Sequence, residues 1–210
     1  MLSKKNHVAW VRTWHLSMAT PFDRKEMKTL IVAAILVLSG TFAHAADNPS
    51  PVSPLTAISA LDVPRYMGTW YEIAKFPAWF QKKCVADTRA EYSLLPGGKV
   101  QVINLCRQES GEMKEAVGSA RQIGEKTSSR LEVRFAPAWL SFIPAVWGDY
   151  WVIDLDPKYQ LVAVSEPKRE YLWILSRTTK VDSAAYDALL GRLTRKGFDL
   201  QLLEKTIHRD

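Results

Sequence analysis

Apolar and polar side chains alternate with a period of two along two stretches of this 210-residue chain. From Val85 to Leu94, Asp87, Arg89 and Glu91 fall on one face and Ala86, Thr88, Ala90, Tyr92 and Leu94 on the other. From Arg130 to Phe135, Arg130, Glu132 and Arg134 alternate with Leu131, Val133 and Phe135. One charged and one apolar face suits an antiparallel sheet wetted on one side. Further strands read at about 69–76, 99–106, 114–121, 149–156, 160–166 and 171–177. Pro96-Gly97-Gly98, Asp156-Pro157 and Pro167-Lys168 supply turn chemistry between several of them. Eight strands in up-and-down order with short connections can close into an antiparallel β-barrel, which removes exposed edges. After the last strand the period changes. Asp182 is a candidate N-cap, Ala185, Leu189 and Leu193 recur on one face, and Gly197 is placed to stop the helix.

The N-terminal quarter has another character. Met27-Lys28 gives a positive start, Leu30 to Leu38 is an unbroken apolar run, and Ala43-His44-Ala45 puts small residues at the cleavage-defining positions. Residues 27–45 therefore read as a signal peptide cut between Ala45 and Ala46. As a helix that apolar run rises about 14 Å, well short of the roughly 30 Å hydrocarbon layer, so a permanent span is not expected. Residues 1–26 carry no apolar period and precede a better start at Met27, as a mis-assigned start or a disordered leader would. Residues 46–61 read as a Pro-rich linker and 62–210 as the barrel with its helix.

Charge adds little once the leader is set aside. Residues 1–45 hold six of the 28 Lys/Arg and two of the 22 Asp/Glu, so the remainder carries a net charge of +2. No basic run or basic helix face remains, which removes the support for nucleic-acid binding. Cys84 and Cys106, the chain's two cysteines, both lie in the exported part. An even pair in an oxidising compartment favours a disulfide worth roughly 3 kcal/mol; a metal site or a reactive thiol is the alternative. General acid–base chemistry most often uses His, and His7, His15, His44 and His208 all fall outside the strands. An enzyme is not expected, nor is a cofactor or a bound metal.

Three motifs in order carry a family resemblance. Gly68-Thr69-Trp70-Tyr71-Glu72 opens the first strand after the turn-like Val63-Pro64-Arg65-Tyr66-Met67, Gly148-Asp149-Tyr150 opens the sixth, and Leu172-Trp173-Ile174-Leu175-Ser176-Arg177 forms the eighth. Over about residues 62–207 the chain resembles the lipocalins, in the form of the bacterial lipocalins and apolipoprotein D. The resemblance implies an eight-stranded barrel with the helix packed outside. Gly68, Trp70, Asp149, Tyr150 and Arg177 become structural residues, with Arg177 over the Trp70 indole at the closed end. It also implies a fatty acid or lysophospholipid held inside. The bacterial relatives are outer-membrane lipoproteins. Here Thr41 follows Leu38-Ser39-Gly40 where a lipid-bearing Cys would stand, so a periplasmic protein without a lipid anchor is expected, with outer-membrane association as the alternative.

Two aromatic-rich loops give the strongest functional signal. Phe76, Trp79 and Phe80 lie between strands one and two, and Trp139, Phe142 and Trp147 between strands five and six. In an up-and-down barrel these connections share one end, which in the family is the open mouth. Apolar groups gathered there suit a ligand entrance, a membrane contact or a homodimer face, or they fold inward as a lid. Tyr92, Val102, Leu131, Val133 and Phe135 are inward wall candidates, and the small Ala86, Ala90, Ala116, Gly118 and Ala120 leave room between them. Glu72 shares the Trp70 face, so it points inside unless a bulge turns it out. A buried carboxylate needs a partner, supplied by a ligand, Asn104 or Arg121. Lys82 and Lys83 beside Trp79 can meet an anionic head group.

Overall fold

The computed structural model describes residues 53–209. The expected leader, the signal segment with its Ala45–Ala46 cleavage point and the first part of the expected linker lie outside those residues. Residues 53–61 form neither helix nor strand and are docked on the barrel. Leu55 and Leu61 are buried, and the Ile58 amide donates to the Val152 carbonyl at 2.9 Å.

A one-turn helix, α1 (Val63–Tyr66), precedes the strands, started by the Asp62 side chain, which accepts from the Arg65 amide. The strands are β1 (Gly68–Lys75), β2 (Ala86–Leu94), β3 (Val100–Arg107), β4 (Met113–Gln122), β5 (Arg130–Arg134), β6 (Gly148–Leu155), β7 (Leu161–Ser165) and β8 (Leu172–Ser176). Each neighbours the next, every pair is antiparallel, and β1 pairs with both β8 and β2, so the sheet closes. The main helix, α2 (Ser183–Arg195), has Asp182 as its N-cap, accepting from the Ala185 amide. Gly197 follows its end at φ +84°, a left-handed conformation glycine adopts without strain.

A ninth strand, β9 (Glu204–Lys205), has no counterpart in the sequence pattern. β1 pairs with β2 only from Gly68 to Tyr71. Beyond that point β9 pairs with Ala74 and Lys75, and the Ile207 carbonyl accepts from the Asp87 amide. The C-terminal segment thus contacts both strands where they part.

Two cores result. One is inside the barrel: Trp70, Tyr92, Val100, Val102, Leu131, Val152, Val162, Val164 and Leu175, with Leu61, Val63 and Tyr66 of the N-terminal segment packed among them. The other lies outside, where Leu189 and Leu193 of α2 press on Ile153, Leu161, Ala163, Leu172 and Ile174. Strands β7 and β8 are therefore covered on both faces, and every residue of β7 is buried. Arg192 fastens the helix to β6 through two bonds to the Asp154 carboxylate, at 2.7 and 2.9 Å.

Candidate functional site

One end of the barrel is shut. The Arg177 guanidinium lies 3.9 Å from the Trp70 ring centroid and donates to the carbonyls of Thr69, Arg65 and Tyr66. The Trp70 indole N–H is held by the Tyr66 carbonyl at 2.8 Å. Gly68, at φ +95°, leaves room for Arg177, whose Nη1 would sit 3.3 Å from an added Cβ. Asp149 takes no part in this closure: it is exposed and pairs opposite Glu132 on the outer face.

Toward the other end the interior opens. Pairing register identifies the inward-facing side chains, because residues directly opposite each other in a sheet point to the same side. Along β3 these run from buried Val100 and Val102 to half-buried Asn104; along β4 from buried Ala120 through half-buried Gly118 to exposed Ala116. Along β5 they run from Leu131 through half-buried Val133 to Phe135, which is 44% exposed, and along β8 from buried Leu175 to half-buried Trp173 and Tyr171. One half of the interior is packed, and the other is a cup with accessible walls. Gly118 lets Phe135 and the β5 backbone lie close against β4, since an added Cβ would lie 2.7 Å from the Phe135 ring and 2.8 Å from the Arg134 carbonyl.

The β1–β2 loop supplies an aromatic path into the cup. Trp79 is 73% exposed and meets Phe80 edge-on at 5.6 Å. Phe80 contacts Tyr171 at 5.7 Å and Trp173 at 6.3 Å, and those two rings stack at 5.7 Å. Cys84 and Cys106 form a disulfide that ties the end of this loop to β3.

Glu72 is buried inside the barrel, as its alternation with Trp70 predicts. Its partners differ from those expected. The Thr206 hydroxyl donates to Oε1 at 2.6 Å and the Gln81 amide to Oε2 at 2.8 Å, while Gln81 Oε1 accepts from the Trp173 indole at 3.0 Å. Burial raises the Glu72 carboxyl above its ordinary value, against the lowering pull of the Thr206 and Gln81 bonds and of Lys75 and His208. Asn104 faces inward without touching this carboxylate.

Three expectations are corrected. Arg121 alternates with buried Ala120 and so lies on the outer face, where it pairs with Glu132 at 2.7 Å. Trp147 joins it there: Arg121 stacks on its ring at 4.1 Å, Arg134 lies at 5.3 Å, and its N–H donates to the Ser141 carbonyl, so it does not line the mouth. Phe76 leaves the mouth because β1 bulges between Glu72 and Ala74; it packs outside against Phe198, 6.1 Å away. Trp139 and Phe142 sit on the β5–β6 loop at 72% and 76% exposure, and their rings are not brought together with Trp79 or Phe80. Gln81, Thr206, Tyr171 and Trp173 join the site beyond the residues the sequence pattern picks out, although the spacing of Tyr171 and Trp173 from inward Leu175 signals the last two.

A groove of about 500 Å³ outside the barrel, between α2 and the turn after β6, is lined by Ile153, Leu161, Ala188, Asp154 and Arg192. Its principal charges, Arg192 and Asp154, satisfy each other. Among the described residues no cluster of His, Cys, Asp and Glu could hold a metal ion.

A family model described as a lipocalin-like domain matches residues 61–208. Temperature-induced lipocalin-1 of Arabidopsis thaliana is 42% identical over 74% of this chain and 84% of its own length. Outer membrane lipoprotein Blc of Escherichia coli K12 is 37% identical over 74% and 84%, and mouse apolipoprotein D 32% over 78% and 83%. Among solved structures, insecticyanin from the tobacco hornworm Manduca sexta superposes with a TM-score of 0.59 at 18% identity, covering 74% of this chain and 85% of that one. The likeness to insecticyanin concerns the fold alone.

Proposed function

The chain belongs to the lipocalin family, and from that premise we propose that it holds a fatty acid or a lysophospholipid in the open half of its barrel, storing or carrying membrane-derived lipid. The observation that carries the reading is the graded exposure of the inward side chains, from buried Val102 and Leu131 to exposed Ala116 and Phe135. Small and aromatic walls leave a space that is apolar and reached from one end. Burying a C16 chain offers roughly 12 kcal/mol at about 0.8 kcal/mol per methylene, against association costs of about 4–15 kcal/mol. Binding in the micromolar to nanomolar range with weak chain-length selectivity follows. The cup walls proposed to contact the chain are Val133, Phe135, Tyr171 and Trp173, with Asn104 as a polar wall group and Trp79 and Phe80 at the entrance.

The protein acts in the periplasm on this reading, released by cleavage before Ala46 and lacking a lipid anchor because Thr41 has no thiol to acylate. Lys82 and Lys83 beside exposed Trp79 suit a peripheral contact with a membrane, by a monomer or a homodimer. The protein carries lipid without transforming it: His208 is spent on the Glu72 carbonyl, 2.7 Å from its Nε2, and both cysteines are bonded. Extraction of the purified protein followed by lipid mass spectrometry tests the proposal. Bound fatty acid or lysophospholipid in near-stoichiometric amount is expected. Lipid-free protein that also ignores a fluorescent fatty acid would mean a filled, purely structural barrel.

A further inference from the structure

Three phenols meet inside the barrel. Tyr66 comes from α1, Tyr92 from β2 and Tyr150 from β6, and the Tyr150 hydroxyl lies 2.8 Å from that of Tyr66 and 3.0 Å from that of Tyr92. Their rings pack together as well, Tyr66 on Tyr92 at 5.6 Å and Tyr92 against Tyr150 at 6.3 Å. Nothing in the lipid-carrying role already described uses these hydroxyls.

Counting protons shows what the cluster lacks. Three hydroxyls carry three protons, and the two hydrogen bonds among them consume two. Whichever way the bonds run, one O–H remains, and among the described residues the three oxygens make no further hydrogen bond. Tyr66 and Tyr92 are buried, and Tyr150, which pairs opposite inward Leu131, faces the interior as a half-buried residue. With Tyr150 receiving from both neighbours, one of the arrangements open to the cluster, its own proton is left for whatever fills the interior.

The surroundings favour a negative occupant. Arg177 puts a positive charge at the closed end, 3.9 Å from the Trp70 ring, and the Tyr66 ring lies 5.0 Å from the same indole, tilted by 32°. Burial keeps all three phenols protonated, with Tyr92 pushed up to about 12 and Tyr66 and Tyr150 well above their ordinary value, so the cluster offers donors and no negative charge. The geometry points to a head-group subsite: the Tyr66–Tyr150–Tyr92 cluster takes the carboxylate of a fatty acid that enters head first and leaves its tail toward Trp173 and Phe80. The inference rests on the lipid-carrying reading and adds the ligand's direction and its polar anchor.

Palmitate labelled with ¹³C at the carboxyl, bound to the unaltered full chain, reports the direction. A bound resonance that a water-soluble gadolinium chelate fails to broaden is expected, because the head lies deep; strong broadening would place it at the mouth and overturn the subsite. Calorimetric titration of Tyr150→Phe supplies the second arm. A single hydrogen bond to a charged acceptor predicts a loss of palmitate affinity of roughly ten- to a hundredfold, with hexadecane affinity unchanged. Equal palmitate affinity in variant and wild type overturns the subsite while leaving lipid binding intact. Failure of wild type to bind either compound overturns both readings. Tyr92→Phe serves as the alternative if Tyr150→Phe does not fold, with a smaller loss expected because Tyr150 keeps its proton for the ligand.

Discussion

Glu72 sits among groups that hydrogen-bond it without neutralising it at short range, and its carboxyl titrates above the ordinary value of 4.5 because it is buried. A group whose folded pKa is raised holds its proton more tightly in the fold than in the unfolded chain. Its stabilising share is whole below the unfolded value and is lost as pH rises through the folded one. Glu72→Gln, uncharged at every pH, should therefore gain on wild type as pH rises from about 4 to about 8. Paired thermal melts across that range check this; a difference that is constant, or that shrinks with pH, contradicts it. Arg177 makes the opposite kind of contribution, since its stacking and its bonds to three carbonyls do not titrate in this range. Arg177→Ala should cost about 2 kcal/mol or more, and Arg177→Lys should recover little, because an ammonium cannot reproduce the planar fork.

Elements divide the labour between stability and binding. The outer core of Leu189 and Leu193 against β6, β7 and β8 is far from the cup in function, although it shares strands with it. Leu193→Ala should lower stability by about 2–5 kcal/mol yet leave affinity for a fluorescent fatty acid within about twofold, as measured on protein still folded. The disulfide joins the β1–β2 loop to β3 across a sequence separation of 22, and losing it in a Cys84→Ser, Cys106→Ser double variant should cost roughly 3 kcal/mol. That loop carries Trp79, Phe80 and Gln81, so weakened lipid binding should accompany the lower melting point.

Much of this architecture was written in the alternation. β2 and β5 declare themselves because one face meets water and the other the interior, and α2 because its cap, stripe and stop agree. What escaped depends on events alternation does not encode. A bulge after Glu72 turns Ala74 toward α2 and carries Phe76 outside with it. Trp147 chooses the outer face because two arginines from β4 and β5 stack on it there, a preference set by tertiary neighbours. Thr206 and His208 belong to a short tail with no period at all, recognisable only once β1 and β2 are seen to part.

At the scale of the whole molecule the barrel is asymmetric along its length, shut by Arg177, Trp70 and the N-terminal segment at one end and open between aromatic loops at the other. An exported chain with Thr41 in place of an acylated Cys should take up no radioactive fatty acid covalently during metabolic labelling; a labelled mature protein would contradict the proposed periplasmic release. The central claim is that the open half is empty enough to hold a hydrocarbon chain. Ala116 lies on that wall, inward and exposed, so a large side chain there would fill the cup without disturbing the packed half. Native mass spectrometry of wild type and Ala116→Trp, with folding verified by melting, measures this most directly. Lipid-sized adducts on wild type that are largely lost in the variant are predicted; no adduct on wild type, or an undiminished adduct on the variant, would contradict the account.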